Sequence, residues 1–317
     1  METSKLNTED GYQSRLEKDE VDVSELFTVV ASRKWFLFGI TSIFAILSIA
    51  LSLSLPNIYK SEVLLSPAHE SKSSNLGGLA GQLGGIAGLT GISLGGGDDK
   101  TTLALEVLKS RQFIKSFIEK HDLLPDLMAV KEWNQGKNEI VYDEELYDVD
   151  SKTWVRDVEP PKTAKPSRQE AYIEFKKVFE VNEAKDTGYV TISIDHQSPE
   201  IAQRWVELLV MEINQTIKTM DVVEAEKSIK FLEEQLSKND IAELKTVLFG
   251  LIEEQVKTIM FSESRAEYVF KTIDPAIVPE LKHSPKRAVI CVAGTLFGFI
   301  VGIVIILIGL FRNGQKG

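Results

Sequence analysis

"IDPAIVPELKHSPKRAVICVAGTLFGFIVGIVIILIGLF", residues 273–311, joins a proline-rich stretch to a long apolar run. Pro275, Pro279 and Pro285 each fix φ and disfavour helix in the preceding residue, so the stretch before the run should be extended. Ser284 is placed to cap a helix whose first residue is Pro285, the position that proline favours. The stretch therefore predicts a rigid collar that leads into a membrane helix, formed by Pro275, Pro279, Ser284, Pro285 and Lys286.

Two uncharged apolar runs, residues 35–55 and 288–311, flank the rest of the chain. A helix rises about 1.5 Å per residue, so both runs are long enough to cross a hydrocarbon core of about 30 Å. The first run begins too far along the chain, and is too long, for a cleaved signal peptide. The sequence therefore predicts two transmembrane helices at these bounds.

The second apolar run carries a ridge of glycines. Gly294, Gly298 and Gly302 form a tandem GxxxG pattern, which lets another helix backbone approach closely. The first run also offers small residues, Ser48 and Ser52 among them. We therefore predict that these residues pack membrane helices together: Gly294, Gly298, Gly302 and Gly309.

The region between the two runs, residues 56–287, mixes strand-like and helical patterns. Strands are predicted at 58–67 and 268–274, and a helix from Thr101 to about Lys120. Residues 175–196 read as a β-hairpin, with Gly188 available for a positive φ in the turn. Residues 122–167 should form loops with short strands. These patterns predict an α+β fold with a small sheet.

A long helical hairpin is predicted at about 198–262. Ser198 and Pro199 provide a helix start, and Asn239-Asp240 interrupts the helix, with Asp240 placed to cap a second one. Both helices carry apolar stripes at near-helical spacing. Packing within the hairpin uses part of each stripe, and we predict oligomer or partner contacts for three of these residues: Trp205, Leu248 and Leu251.

Charge and composition exclude several classes of function. Residues 56–287 carry 29 Lys and Arg against 39 Asp and Glu, so this acidic region should not bind nucleic acid. The one cysteine, Cys291, lies in the second apolar run, which leaves no disulfide or thiolate metal site outside it. Four scattered histidines do not form a metal cluster. We predict no metal site, no cofactor and no catalytic residues.

The sequence resembles the Wzz-type polysaccharide chain-length regulators, also called polysaccharide co-polymerases. The family signature is Pro-x2-Pro-x4-Ser-Pro-Lys-x11-Gly-x10-Gly, and Pro279 through Lys286, Gly298 and Gly309 match its spacings. The first interval departs from it, because Pro275 to Pro279 is x3. Three further stretches look like the family: "DVSELFTVVASRKWF", "LPNIYKSEVLLSP" and "HQSPEIAQRWVELLVMEIN". The resemblance covers essentially the whole chain.

This resemblance implies a location and a topology. The chain would be a multi-pass protein of the bacterial inner membrane, with both termini cytoplasmic and a large periplasmic domain. The segments would be a cytoplasmic 1–34, a transmembrane helix 35–55, a periplasmic α+β domain 56–287, a second transmembrane helix 288–311 and a cytoplasmic tail 312–317. No GxxxxGK[ST] motif occurs, so the resemblance is to the branch without a kinase domain.

The glycine tract at residues 77–97 contains ten glycines and no charge. A third membrane helix is disfavoured, because each glycine costs up to about 1 kcal/mol relative to alanine. A phosphate loop would need glycine where Asp99 stands, and the G-x-S-x-G pattern around Ser93 lacks the strand and helix of a hydrolase elbow. An apolar spacing remains that could dock on a neighbouring subunit: Leu79, Leu83, Ile86 and Leu89.

The leading hypothesis is a non-enzymatic regulator of lipopolysaccharide O-antigen chain length. The resemblance implies a homo-oligomeric ring that works with a Wzy-type polysaccharide polymerase, the growing glycan chain and the lipid bilayer. One alternative is a co-polymerase for the synthesis and export of capsule or exopolysaccharide. An alternative of another class is a membrane-anchored serine hydrolase, with Ser93 as nucleophile beside Asp195 and His196.

Overall fold

The structure is a computed structural model that describes residues 32–68 and 97–314. The chain divides into two compact units. Among the described residues, a terminal unit consists of 32–57 and 284–314, and a central unit consists of 58–68 and 97–283.

In chain order, the described helices and strands have the following bounds: α1 Lys34–Ser54, β1 Tyr59–Pro67, α2 Gly97–Lys109, α3 Arg111–Lys120, α4 Leu124–Met128, β2 Val130–Asn134, β3 Glu139–Tyr142, β4 Tyr147–Asp148, β5 Thr153–Trp154, α5 Arg168–Val178, β6 Phe179–Glu183, β7 Val190–His196, α6 Pro199–Lys238, α7 Ala242–Ser264, β8 Phe270–Asp274 and α8 Arg287–Gly314.

A four-stranded antiparallel sheet organises the central unit, with strand order β6-β7-β1-β8. Its alternating apolar residues, such as Val63 on β1 and Ile192 on β7, point into one core. Two small antiparallel ribbons, β2-β3 and β4-β5, stand apart from this sheet. The mixed fold, with a small sheet, a long helical hairpin and an apolar helix at each end, confirms the predicted fold class.

The predicted β-hairpin at 175–196 is present but shorter. Residues 175–178 complete α5, which begins with a capping box between Ser167 and Glu170. The strands themselves are β6 and β7, and Gly188 adopts the expected positive φ of 68° in the turn. The apolar run starting at Phe175 was misread as strand because its residues also fit the helical face that packs Phe175 into the core.

The predicted helix from Thr101 to Lys120 is two helices. Ser110 breaks it, because this residue is extended and its hydroxyl accepts a hydrogen bond from the backbone N–H of Phe113. The chain can therefore change direction between α2 and α3. Helix α3 then buries four apolar side chains against the sheet and α5: Phe113, Ile114, Phe117 and Ile118.

Helix α6 begins as predicted. The hydroxyl of Ser198 accepts from the backbone N–H of Ile201, and Pro199 occupies the first turn. The predicted cap of the second helix is wrong, because the residue before α7 is Ile241 and it has no side-chain cap. Asp240 accepts instead from the ammonium group of Lys245, at 3.1 Å.

Asn214 ties α6 to the last strand of the sheet. This buried amide accepts from the backbone N–H groups of Val269 and Phe270, at 2.8 and 2.9 Å. Its Nδ2 donates to the carbonyl oxygens of Val210 and Phe270. One side chain thus satisfies backbone groups that the core would otherwise leave unpaired.

Asn214→Leu should lower the free energy of unfolding by about 2–4 kcal/mol, because it leaves two buried N–H groups without an acceptor. Chemical denaturation of the detergent-solubilised chain would measure this change. Gln215→Leu is the matched control, since the neighbouring side chain is exposed on the same helix. Equal loss in the two variants would contradict the role of the Asn214 amide.

His196 is held neutral inside the core. Its Nδ1 accepts from the backbone N–H of Ser198 at 2.9 Å, and its Nε2 lies 2.9 Å from the carbonyl oxygen of Asp126. The ring also packs against Trp205. Burial lowers the pKa of His196 below its usual value of 6.5, because the core does not solvate the imidazolium form.

The stability of the central unit should therefore fall as pH drops below 6.5. In that range the unfolded chain protonates His196 while the folded chain does not, so protons favour unfolding. We expect His196→Gln to weaken the fall of the denaturation midpoint as the pH is lowered from 7.5. A wild-type slope in His196→Gln would refute this assignment.

Candidate functional site

The glycine ridge of α8 packs against α1 within the terminal unit. A Cβ atom built on Gly294 would lie 2.5 Å from Cβ of Ser48, and one built on Gly298 would lie 2.5 Å from Cβ of Phe44. Both distances are too short for any side chain, so the two backbones meet where glycine removes the obstacle.

The close approach of α8 to α1 extends to Gly302 and ends before Gly309. A Cβ atom on Gly302 would lie 2.6 Å from Cδ1 of Leu37, whereas one on Gly309 would meet only Nη1 of Arg33, at 3.7 Å. Three of the four glycines proposed for helix packing therefore contact α1 closely, and Gly309 does not. The partner of the ridge is a helix of the same chain.

Outside this seam, α1 and α8 expose apolar side chains. In their most apolar windows only 11% and 17% of the residues are buried, whereas the core helix of a soluble protein would be mostly buried. Both helices are long and apolar enough to cross a membrane. The candidate spans are Lys34–Ser54, which is α1, and Arg287–Gly309, which lies within α8; both are close to the spans expected from the sequence.

The collar before α8 differs from its predicted form. Residues 275–283 form neither helix nor strand, as the prolines favour, but α8 begins at Arg287, after Pro285. Ser284 is therefore not the residue that caps α8, because Pro285 and Lys286 both precede the helix. Arg287 donates to the side-chain oxygen of Asn57 within the terminal unit, at 3.2 Å.

Trp205 is not available to another subunit. Its side chain is 1% exposed and packs against Phe175 and His196 in the core. The expected partner contact at Trp205 is corrected accordingly: the first half of α6 uses its apolar stripe to cover the sheet. Leu248 is also buried, at the contact between α6 and α7, while Leu251 is 42% exposed.

The hairpin of α6 and α7 exposes more apolar surface than the sequence stripes predicted. Phe249 and Met260 on α7 are 57% and 63% exposed, and Phe231 on α6 is 59% exposed. These residues lie off the predicted apolar stripes, so the sequence pattern did not identify them. The available signal was that α7 is apolar on several faces, a pattern typical of helices that contact a partner.

One polar cluster links α2 to the base of the hairpin. Asp221 on α6 accepts from the hydroxyl of Tyr268 at 2.5 Å and from the ammonium group of Lys100 at 3.0 Å. The Lys100 ammonium also lies over the Tyr268 ring. Burial and the carboxylate raise the pKa of Tyr268, so its hydroxyl stays protonated and keeps donating.

The hydrolase alternative gains nothing from the geometry. Both ring nitrogens of His196 are engaged by the backbone, and Asp195 points to the opposite face of β7. Ser93 lies outside the described residues, as do Leu79, Leu83, Ile86 and Leu89. Within the described ranges, no group of three or more His, Cys, Asp or Glu side chains is arranged to hold a metal ion.

Gly298→Leu should separate α1 from α8, because even a methyl group at this position overlaps Phe44. We expect a loss of about 1–3 kcal/mol, the usual effect of overpacking, seen as a lower midpoint of thermal unfolding in detergent. Gly39→Leu is the matched control, since a Cβ there has nothing within 4 Å. An unchanged midpoint in Gly298→Leu would remove the packing role of the ridge.

Part of the chain matches a known protein-family model. Residues 19–121 match the family model described as Wzz, chain length determinant protein. No curated protein matches the chain. Among solved structures, a full-length bacterial polysaccharide co-polymerase is 14% identical, with a TM-score of 0.38, covering 94% of this chain and 98% of its own. A fragment of WzzB, the polysaccharide co-polymerase from Salmonella Typhimurium, is 12% identical, with a TM-score of 0.29, covering 72% and 100%.

These TM-scores are too low for either structural likeness to support an argument, and the family match is the finding that counts. Together with the two apolar helices, it indicates a membrane-anchored protein. The match also confirms the resemblance seen in the sequence: this chain is similar to the Wzz-type polysaccharide chain-length regulators, the polysaccharide co-polymerases.

Proposed function

We propose that the chain regulates the length of lipopolysaccharide O-antigen without catalysing any bond itself. The match of residues 19–121 to the chain length determinant family carries this proposal. The catalytic step belongs to a separate Wzy-type polymerase, and this chain acts on the polymerase or on the growing glycan. The location is the bacterial inner membrane, with both termini cytoplasmic and the central unit periplasmic.

Assembly of several copies is the mechanism that the surface chemistry supports. Helices α6 and α7 expose apolar side chains that water solvates poorly, Phe231, Phe249 and Leu251 among them. A homo-oligomeric ring would bury such side chains between neighbouring hairpins. Many copies then present repeated weak contacts to polymerase and glycan, so avidity replaces a single strong site. Leu79, Leu83, Ile86 and Leu89 are proposed as further contacts in this ring.

The test is a gel of surface polysaccharide from cells that lack the gene. Deletion should replace a narrow modal band of O-antigen lengths by a broad distribution, and the intact gene should restore the band. A defect in capsule or exopolysaccharide with normal O-antigen would overturn the O-antigen assignment.

The same strain tests the role of the hairpin surface. Phe249→Asp should fail to restore the modal band, because a carboxylate cannot be buried between apolar subunit faces. Val149→Asp is the matched control at an apolar residue of similar exposure outside the hairpin, and it should restore the band. Equal rescue by both variants would contradict assembly through α7.

A further inference from the structure

The segment at residues 275–283, between the last strand and the second membrane helix, exposes large apolar side chains. Leu281 is 85% exposed, the highest value for a large apolar residue in the described part of the chain, and Ile277 is 68% exposed. Comparable values otherwise belong to the lipid-facing sides of the candidate membrane spans, such as Trp35 at 79% and Ile46 at 68%. Two large apolar side chains exposed within five residues of one segment form a candidate contact surface.

The backbone of this segment is held in place. The hydroxyl of Ser61 donates to the carbonyl oxygen of Ile277 at 2.8 Å, and Nε2 of Gln203 donates to the carbonyl oxygen of Ala276 at 3.2 Å. At its end, the backbone N–H of His283 donates to the carbonyl oxygen of Ile58 at 2.8 Å. The apolar side chains are therefore presented by a fixed backbone and do not fold back onto the core.

Chain length keeps the segment within reach of the bilayer. Leu281 precedes the first residue of α8, Arg287, by six positions, and six extended residues span at most about 20 Å. The local charge also suits a lipid surface. Residues 280–287 carry Lys282, Lys286 and Arg287 against a single acid, Glu280, in a chain whose net charge is −11. Anionic headgroups attract such a basic cluster beside a membrane helix.

We propose that residues 277–281 form a lipid-docking surface, in which Ile277 and Leu281 enter the outer part of a bilayer and the neighbouring basic residues contact anionic headgroups. This site is additional to the two candidate membrane spans. The proposal rests on membrane anchoring and does not depend on the proposed polysaccharide function.

The test is spin labelling of the full-length chain. Cys291→Ala removes the one native cysteine, and Leu281→Cys or Ile277→Cys then carries a nitroxide in vesicles of phosphatidylethanolamine and phosphatidylglycerol. Collision with oxygen, which concentrates in lipid, is compared with collision with a water-soluble nickel chelate. Ile46→Cys on α1 is the lipid-facing control, and Val149→Cys is the exposed control away from the spans.

Labels at 281 and 277 should follow the lipid-facing control. We expect nickel accessibility at least about tenfold below that at position 149, the ratio that transfer of a leucine-sized group out of water supports. Nickel accessibility equal to that at 149 would overturn the proposal. Low accessibility to both oxygen and the nickel chelate would also overturn it, if it came with spin–spin broadening that disappears when labelled chain is mixed with unlabelled chain. That result would mean that a second copy of the chain covers the segment. An aqueous signal at position 46 would refute membrane anchoring as well.

Discussion

The pairing of β1 with β8 is the constraint on which the central unit depends. Strands β1 and β8 are antiparallel neighbours in the sheet, and the hydrogen bond from His283 to Ile58 closes the unit at its first and last residues. The first and last residues of the central unit are therefore neighbours in space, without a long connecting segment.

Helix α6 divides the central unit into a packed part and an exposed part. Its first half covers the sheet, with Trp205 in the core and Asn214 bonded to the backbone of β8. Its second half pairs mainly with α7, which leaves side chains such as Phe231 and Phe249 exposed. The apolar side chains of the central unit are thus buried near the sheet and exposed along the hairpin. The proposed assembly of several copies would use this uncovered face.

Local signals were read correctly where one residue type determines the backbone. Ser198 with Pro199 started a helix, and Gly188 took the positive φ of a turn, because both effects lie within a few bonds. Prediction failed where a residue type suits more than one local structure. Serine can lie within a helix or cap one, and Ser110 proved to be a cap. Asp240 was expected to cap a helix and pairs instead with Lys245.

The sequence by itself determined the two apolar spans, the helix-free proline stretch, the α+β class and the existence of a helical hairpin. Run length, fixed φ and residue periodicity are properties of neighbouring residues. The tertiary structure decided which apolar residues are buried. It placed Trp205 inside and Leu251 partly outside, gave the glycines of α8 a partner in α1, and left Leu281 in the open. The physical reason is that burial depends on residues far apart in the chain, and periodicity identifies an apolar face without identifying what covers it.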